Sequence, residues 1–141
     1  MTLVMADGVC VFVRKELPVT RVDIHPQYDH IELLCFDLYG VTGKLRFFCV
    51  YRPPRRDNKG LEYLQSLMKC ISHYSSTGPT NVVLGDLNCP NINWYTGHSS
   101  SDCINSKFAS FVAEFGLYQF VDFPTRGSNI LDVILSDKLL K

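Results

Sequence analysis

The sequence lacks an excess of charge of either sign, and this absence limits the classes of protein to which it can belong. Its 141 residues carry 14 basic and 14 acidic side chains, for a formal net charge of zero. A balanced chain has no overall field that would draw it to nucleic acid or to a membrane surface. Any affinity for a polyanion must therefore come from a local group of residues.

Long apolar runs and paired cysteines are also lacking. The apolar stretches are short or interrupted by charge, far below the roughly 20 residues that span a bilayer. The N-terminal residues show no basic region followed by an apolar stretch, so no secretory signal is recognised and an intracellular protein is expected. None of the six cysteines forms a Cys-x-x-Cys pair, which argues against a zinc site. Free thiols are expected, with Cys10, Cys35 and Cys49 packed inside strands.

What is present is enough apolar material for one α/β domain, since 46% of the residues are apolar. Six runs rich in β-branched and aromatic residues predict strands: 9–13, 31–39, 45–51, 81–84, 118–123 and 130–135. Apolar residues at three- and four-residue spacing predict one helix over 58–75 and a second that ends at Gly116. No repeat or linker divides the chain, so a single domain is expected over residues 1–141.

The clearest candidate for chemistry is the segment Val82-Val83-Leu84-Gly85-Asp86-Leu87-Asn88. A buried strand ends there in a glycine and then exposes a carboxylate and a carboxamide two residues apart. The alternation of side chains along a strand places both on one side, and the glycine allows another group to approach closely. Taken alone, however, the segment favours an ordinary Asx turn after a strand.

Three further segments occur in the order found in one family: Val50-Tyr51-Arg52-Pro53-Pro54, Pro124-Thr125-Arg126 and Asn129-Ile130-Leu131-Asp132-Val133-Ile134-Leu135-Ser136. Together with the segment from Gly85 to Trp94, they resemble the endonuclease domain of non-LTR (LINE-type) retrotransposons. That domain belongs to the endonuclease/exonuclease/phosphatase superfamily, which includes deoxyribonuclease I and the apurinic/apyrimidinic endonucleases. The resemblance covers nearly the whole chain. It implies an α/β sandwich of two packed mixed sheets with helices outside.

The resemblance also implies roles for four residues in DNA cleavage. Asp86 matches the aspartate that positions and deprotonates the attacking water, and Asn88 matches the asparagine that hydrogen-bonds the scissile phosphate. Tyr51 resembles the tyrosine that contacts the same phosphate, while Asp132 resembles the aspartate that orients a catalytic histidine. Asp132 is alternatively a solvent-facing residue at a sheet edge. Magnesium or manganese is the implied cofactor, with Asp86 and Asn88 as candidate ligands, because these ions prefer oxygen ligands.

Four residues are candidate DNA contacts: Thr125, Arg126, Arg52 and Trp94. The first two match a segment that lies near the DNA in the family. Arg52 opens a basic cluster with Arg55, Arg56 and Lys59, which either meets DNA phosphates or forms a solvated loop. Trp94, beside Tyr95, either stacks on a base or anchors its own loop.

The family pattern has parts with no counterpart in this sequence. The family begins with strands that end in an Asn and in a metal-binding Glu, and it closes with a Ser-Asp-His motif for which Ser136-Asp137-Lys138 is no substitute. A partial domain is therefore expected, with little or no activity by itself. The implied partners are nuclear DNA and a reverse transcriptase domain in cis, and a monomer is expected. The alternatives are a non-enzymatic remnant that binds nucleic acid or a protein, and a phosphomonoesterase or sphingomyelinase-type hydrolase of the same superfamily.

Overall fold

A six-stranded mixed sheet lies at the centre of the computed structural model, which describes residues 1–6 and 8–140. The strands in chain order are β1 (Thr2–Ala6), β2 (Val9–Val13), β3 (Val19–Arg21), β4 (Glu32–Gly40), β5 (Gly43–Tyr51), β6 (Thr80–Asp86), β7 (Tyr118–Gln119) and β8 (Asp132–Ser136). The helices are α1 (Asn58–Tyr74) and α2 (Cys103–Glu114), and a 3-10 turn covers Pro26–Tyr28. None of the helices in these described ranges is long and apolar enough to cross a membrane.

The strand order in the central sheet is β3-β4-β5-β6-β8-β7. Strands β5 and β6 are parallel, and the other neighbouring pairs are antiparallel. A parallel pair needs a crossover connection, and α1 supplies it. Asp57 begins α1 by accepting a hydrogen bond from the backbone N–H of Gly60, at 3.0 Å, as a helix N-cap does.

The two helices cover one face of the central sheet. Alternate sheet residues such as Leu33 and Phe48 point to this face, where they pack in one core with Leu64 of α1 and Phe108 of α2. Because successive side chains of a strand point to opposite faces, the residues between these alternate positions, such as Leu34, are directed to the other face.

The hairpin formed by β1 and β2 covers part of the opposite face. Val4 and Val11 of the hairpin pack against Leu34 and Phe36 of β4, which point away from the helices. The result is an α/β sandwich of helices, central sheet and a small second sheet, as predicted for the fold class. The predicted antiparallel pairing of the strands that became β4 and β5 is also confirmed.

A partly buried ion pair joins the sheet to the end of α1. The guanidinium of Arg46 donates to both carboxylate oxygens of Asp37, at 2.7 and 2.8 Å, and to the carbonyl of Tyr74 at 2.8 Å. The hydrogen bonds from Arg46 hold the pKa of the Asp37 carboxyl below its ordinary value, against the opposing effect of burial.

The prediction of a strand over 118–123 is wrong in its extent, because only Tyr118 and Gln119 form β7. The Gln119 side chain bonds both backbone groups of Val121, at 2.7 Å each, so these groups are not available to a ladder. Strands β1 and β3 were not predicted. Strand β3 has only three residues, too few for a periodic pattern.

The six cysteines are free thiols, as expected. Burial raises the pKa of Cys35 and of Cys49 to about 12, which keeps both protonated and unreactive at neutral pH. The expectation that Cys10 is buried is wrong. This residue is exposed because it pairs with Met5 on the outer side of the hairpin.

Candidate active site

Three of the predicted site residues form one row across neighbouring strands. Tyr51, the last residue of β5, pairs with Asp86, the last residue of β6. Asp86 in turn pairs with Asp132, the first residue of β8. Side chains of directly paired residues point to the same face of a sheet. The structure therefore brings together residues that are far apart in the sequence, and we call Tyr51, Asp86 and Asp132 the polar row.

The polar row lies on the face opposite the helices. Leu84, two residues before Asp86 on the same strand, packs in the core beneath the hairpin, so Asp86 points to that side. Tyr51 and Asp86 are half-buried, and Asp132 is exposed. The row thus opens to solvent at the end of the sheet, where a large substrate can reach it.

Gly85 makes the close approach of β5 and β6 possible. A Cβ atom at this position would lie 1.9 Å from the carbonyl oxygen of Val50, and φ is +140°, which L side chains rarely adopt. The group that approaches Gly85 closely is therefore the backbone of β5. This packing sets the spacing between Tyr51 and Asp86.

Asn88 is held in an uncommon conformation beside the row. Its φ is +48°, in the left-handed region. Its backbone N–H donates to Oδ1 of Asp86 at 3.0 Å, and its Nδ2 donates to the carbonyl of Arg52 at 2.8 Å. The second bond fixes the orientation of the carboxamide. The segment does contain the expected Asx turn, which the Asp86 side chain forms with the backbone N–H of Asn88.

Arg52 does not occupy the exposed position that a DNA contact requires. It is only 1% exposed. Its guanidinium donates to the carbonyls of Leu87, Asn88 and Arg55, at 2.7, 2.7 and 3.0 Å respectively. The structure therefore contradicts the prediction that Arg52 binds nucleic acid, because its cationic group is enclosed by the protein's own backbone.

Thr125 and Arg126 lie next to the start of β8. The Thr125 hydroxyl oxygen accepts from the backbone N–H groups of Leu131 and Asp132, at 3.0 and 3.1 Å, and so fixes the end of the polar row. Arg126 forms a tight turn with Asn129 through backbone bonds of 3.1 and 2.9 Å, and it is exposed. Arg126 thus presents its charge to solvent near Asp132.

The loop after β6 is anchored by Trp94. Its ring packs edge-to-face on Phe108, with centroids 6.1 Å apart, and its indole Nε1 is buried without a hydrogen-bond partner. Trp94 therefore fits the anchor alternative of the sequence analysis. Tyr95 beside it is 87% exposed, so this ring is the one available for stacking.

One arginine of the basic cluster after Tyr51 is engaged in an ion pair. The guanidinium of Arg55 pairs with the carboxylate of Asp57, the N-cap residue of α1. The structure thus shows a capped helix entry as well as exposed charge at Arg56 and Lys59.

The polar row offers an incomplete set of ligands for a metal ion. Within residues 1–6 and 8–140, no group of three or more histidine, cysteine, aspartate or glutamate side chains could hold a metal. Asp86 and Asp132 are carboxylates at paired positions, and the carboxamide oxygen of Asn88 is of the type that magnesium accepts. These residues fit part of an oxygen-ligand site.

Tyr63 supports the row, although no motif in the sequence marks it. Its hydroxyl donates to the carbonyl of Tyr51 at 2.9 Å and accepts from the N–H of Glu32 at 2.7 Å. Burial raises the pKa of Tyr63, so it remains a donor at neutral pH. The sequence does not indicate the contact between Tyr63 and Tyr51, because this contact depends on which strand α1 covers.

Asp137 lies at the opposite end of β6 from the polar row. It accepts hydrogen bonds from the backbone N–H and the Nδ2 of Asn81, near the start of that strand, at 2.9 and 2.7 Å. This placement agrees with the interpretation that Ser136-Asp137-Lys138 does not replace a catalytic Ser-Asp-His motif.

The helices, central sheet and hairpin form the α/β sandwich of deoxyribonuclease I-like nucleases. The endonuclease domain of TRAS1, a telomere-specific non-LTR retrotransposon, has a similar fold, with a TM-score of 0.59 at 19% identity. That match covers 89% of this chain and 56% of the other, so this chain spans little more than half of that domain's length. An AP endonuclease from Archaeoglobus fulgidus gives a TM-score of 0.45 at 14% identity, over 73% of this chain and 52% of the other.

A family model described as endonuclease-reverse transcriptase matches residues 45–141. The chain therefore belongs to the endonuclease-reverse transcriptase family, which confirms the resemblance seen in the sequence. The matched region contains the whole polar row. No curated protein matches the sequence.

Proposed function

We propose that this chain is the part of a retrotransposon-type endonuclease domain that holds the scissile phosphate of DNA and activates the attacking water. The observation that carries this proposal is the polar row. A tyrosine and two aspartates from three strands meet at the solvent-exposed end of one sheet face. Membership of the endonuclease-reverse transcriptase family supports the reaction class.

Each residue of the site has a property that phosphodiester hydrolysis requires. Such hydrolysis needs a base near the water and donors or cations near the developing charge. In the proposed mechanism Asp86 orients and deprotonates the water, while the Tyr51 hydroxyl and the Asn88 carboxamide contact the phosphate. Asp132 would orient the catalytic histidine that the family's Ser-Asp-His segment supplies. Arg126, exposed beside Asp132, contributes a phosphate contact.

A divalent magnesium or manganese ion is part of this proposal. Asp86 and the carboxamide oxygen of Asn88 are the groups that would hold it. When bound, the ion would stabilise negative charge on the phosphate oxygens. Since the described residues supply only part of a ligand set, we propose that the chain alone has little activity. The proposed partners of the intact protein are nuclear DNA and a reverse transcriptase domain in cis.

Plasmid nicking in magnesium tests the proposal. The chain alone should give no nicking above background, whereas a polypeptide that joins it to the family's Glu and Ser-Asp-His segments should nick supercoiled DNA. Asp86→Ala in that polypeptide should abolish nicking, and Asp122→Ala, at an exposed aspartate outside the row, should not. Robust nicking by the 141-residue chain would show that the metal site is misplaced.

The incomplete ligand set also favours a second candidate, a remnant that binds nucleic acid or a protein without cleaving DNA. The joined polypeptide separates the two. Binding of DNA without nicking, in the presence of the added segments, would support the remnant.

A further inference from the structure

Arg52 is a fully enclosed cation in a protein whose other basic side chains have mostly exposed positions. Burial of a charge is costly unless hydrogen bonds compensate for the lost water. The described partners of the Arg52 guanidinium are three backbone carbonyl oxygens, all within 3.0 Å. Two of these oxygens belong to Leu87 and Asn88, which follow Asp86 directly. The Arg52 guanidinium therefore binds the backbone that immediately follows Asp86.

The link between Arg52 and the site runs in both directions. The backbone N–H of Arg52 donates to the carbonyl of Asp86 at 2.9 Å. The carbonyl of Arg52 accepts from Nδ2 of Asn88 at 2.8 Å. Arg52 is therefore bonded to each residue of the 86–88 segment by its backbone or its side chain.

The conformation of Asn88 shows where this support acts. A left-handed backbone is uncommon outside glycine, although asparagine adopts it more readily than most residues. The bond from Arg52 to the Asn88 carbonyl fixes the peptide plane that follows this residue. The bond from the Asn88 carboxamide to the Arg52 carbonyl fixes the side chain.

We propose that Arg52 is a positioning residue, whose guanidinium holds Leu87 and Asn88 so that Asp86 and Asn88 present their side chains to the same phosphate. This inference rests on the proposed function of the polar row. It gives the arginine a role different from binding DNA, because its charge is used inside the protein. A lysine would fill the role poorly, since the planar fork of arginine reaches several acceptors that a single ammonium group does not.

The first test is NMR spectroscopy of the whole chain with the substitution Arg52→Lys. We expect amide shifts and faster hydrogen exchange at residues 86–89, together with an altered backbone coupling constant of Asn88. Signals of α2 should remain unchanged and report that the chain is folded. The matched control, Arg56→Lys at an exposed arginine, should change none of these signals. Unchanged signals at 86–89 in the folded Arg52→Lys variant would overturn the proposal.

The second test measures affinity for a short DNA duplex over a range of salt concentrations. Arg52→Gln, which removes the enclosed charge, should weaken binding several-fold with no change in the slope of log affinity against log salt. Arg126→Gln, which removes an exposed charge, should lower that slope by about one. A lower slope for Arg52→Gln would mean that Arg52 contacts phosphate, and unchanged affinity would mean a purely structural role. Either result overturns the proposal.

The two tests separate this proposal from the proposed function. If the unaltered chain binds no DNA, the function proposed for the polar row fails. The NMR comparison then decides by itself whether Arg52 positions residues 86–88.

Discussion

Asp86 and Asp132 lie directly opposite each other on β6 and β8, so two carboxylates share one cross-strand position at the end of the sheet. Opposed like charges destabilise an antiparallel pair, on a scale of roughly 0.2–1 kcal/mol. Stability alone does not favour this arrangement. A bound cation would relieve the repulsion, which makes the pair a feature expected of a functional site.

Replacing one carboxylate of this pair should stabilise the protein. We expect Asp132→Asn to raise the free energy of unfolding by up to about 1 kcal/mol without divalent ions, because the repulsion disappears. Denaturant unfolding at neutral pH measures the change. Asp122→Asn, at an exposed residue outside the row, is the control and should have no comparable effect. A less stable Asp132→Asn protein would contradict the prediction.

Divalent ions should stabilise the unaltered chain weakly and through Asp86. An ion that binds only the folded state raises the melting temperature as its concentration exceeds the dissociation constant. A titration with manganese, followed by thermal unfolding, should show this rise in the unaltered chain and not in Asp86→Asn. Magnesium and manganese should behave alike, since both prefer oxygen ligands. An equal rise in Asp86→Asn would place the ion elsewhere.

Gly85→Ala should be severely destabilising. The added Cβ would lie 1.9 Å from the Val50 carbonyl oxygen at a positive φ. Strain of about 1–3 kcal/mol would then add to a similar overpacking cost. Two further variants separate backbone strain from overpacking. At Gly43 the backbone φ is positive and the space around the added Cβ is open, whereas at Gly78 the space is open and no positive φ adds strain. Unfolding free energies should fall in the order Gly78→Ala, Gly43→Ala, Gly85→Ala, and equal losses at all three would refute the argument.

The ion pair of Asp37 and Arg46 should make stability depend on acid pH. The folded pKa of Asp37 is lowered, chiefly by hydrogen bonds from Arg46. The pair therefore contributes fully above the unfolded pKa of about 4, and its contribution is lost as the pH falls through the folded value. Asp37→Asn should cost about 1.5–3 kcal/mol at pH 7, with a smaller difference in strong acid. Unfolding curves at several pH values would show this convergence. A constant difference would contradict it.

The outer face of the hairpin should promote self-association. Leu3, Met5 and Phe12 are 49%, 55% and 66% exposed on this face. Strands β1 and β2 contain no charge or proline to discourage edge pairing. Light scattering at increasing concentration should show association that Phe12→Lys reduces. Val41→Lys, in the β4–β5 turn, is the control and should leave the association unchanged. Scattering of a constant monomer at all concentrations would instead support the monomer that the sequence suggested.

Much of the fold could be predicted, because helices and strands follow local periodicity. The helix over 58–75 was found within one residue at its end, and the strand at Val9–Val13 was found as the structure has it. The strand 118–123 failed for a physical reason. Apolar alternation continues there, but the Gln119 side chain takes the hydrogen bonds of Val121 that a ladder would need.

The candidate site could be predicted in part, by resemblance rather than by local pattern. Asp86 and Asn88 were singled out because they end a buried strand, and Tyr51 and Asp132 because their segments match the family. Tyr63 was not found, because its contact with the Tyr51 carbonyl depends on how α1 crosses the sheet.

The sequence by itself determined both helices, most of the strands and the family that the chain resembles, because these depend on periodicity and short motifs. Only the tertiary structure decided the polar row, since strand register alone brings Tyr51, Asp86 and Asp132 together. It also decided that Arg52 is enclosed and that Cys10 is exposed. Residue type sets the free-energy cost of burial. The packing of distant segments decides which side chain is buried with hydrogen-bond partners and which one faces water.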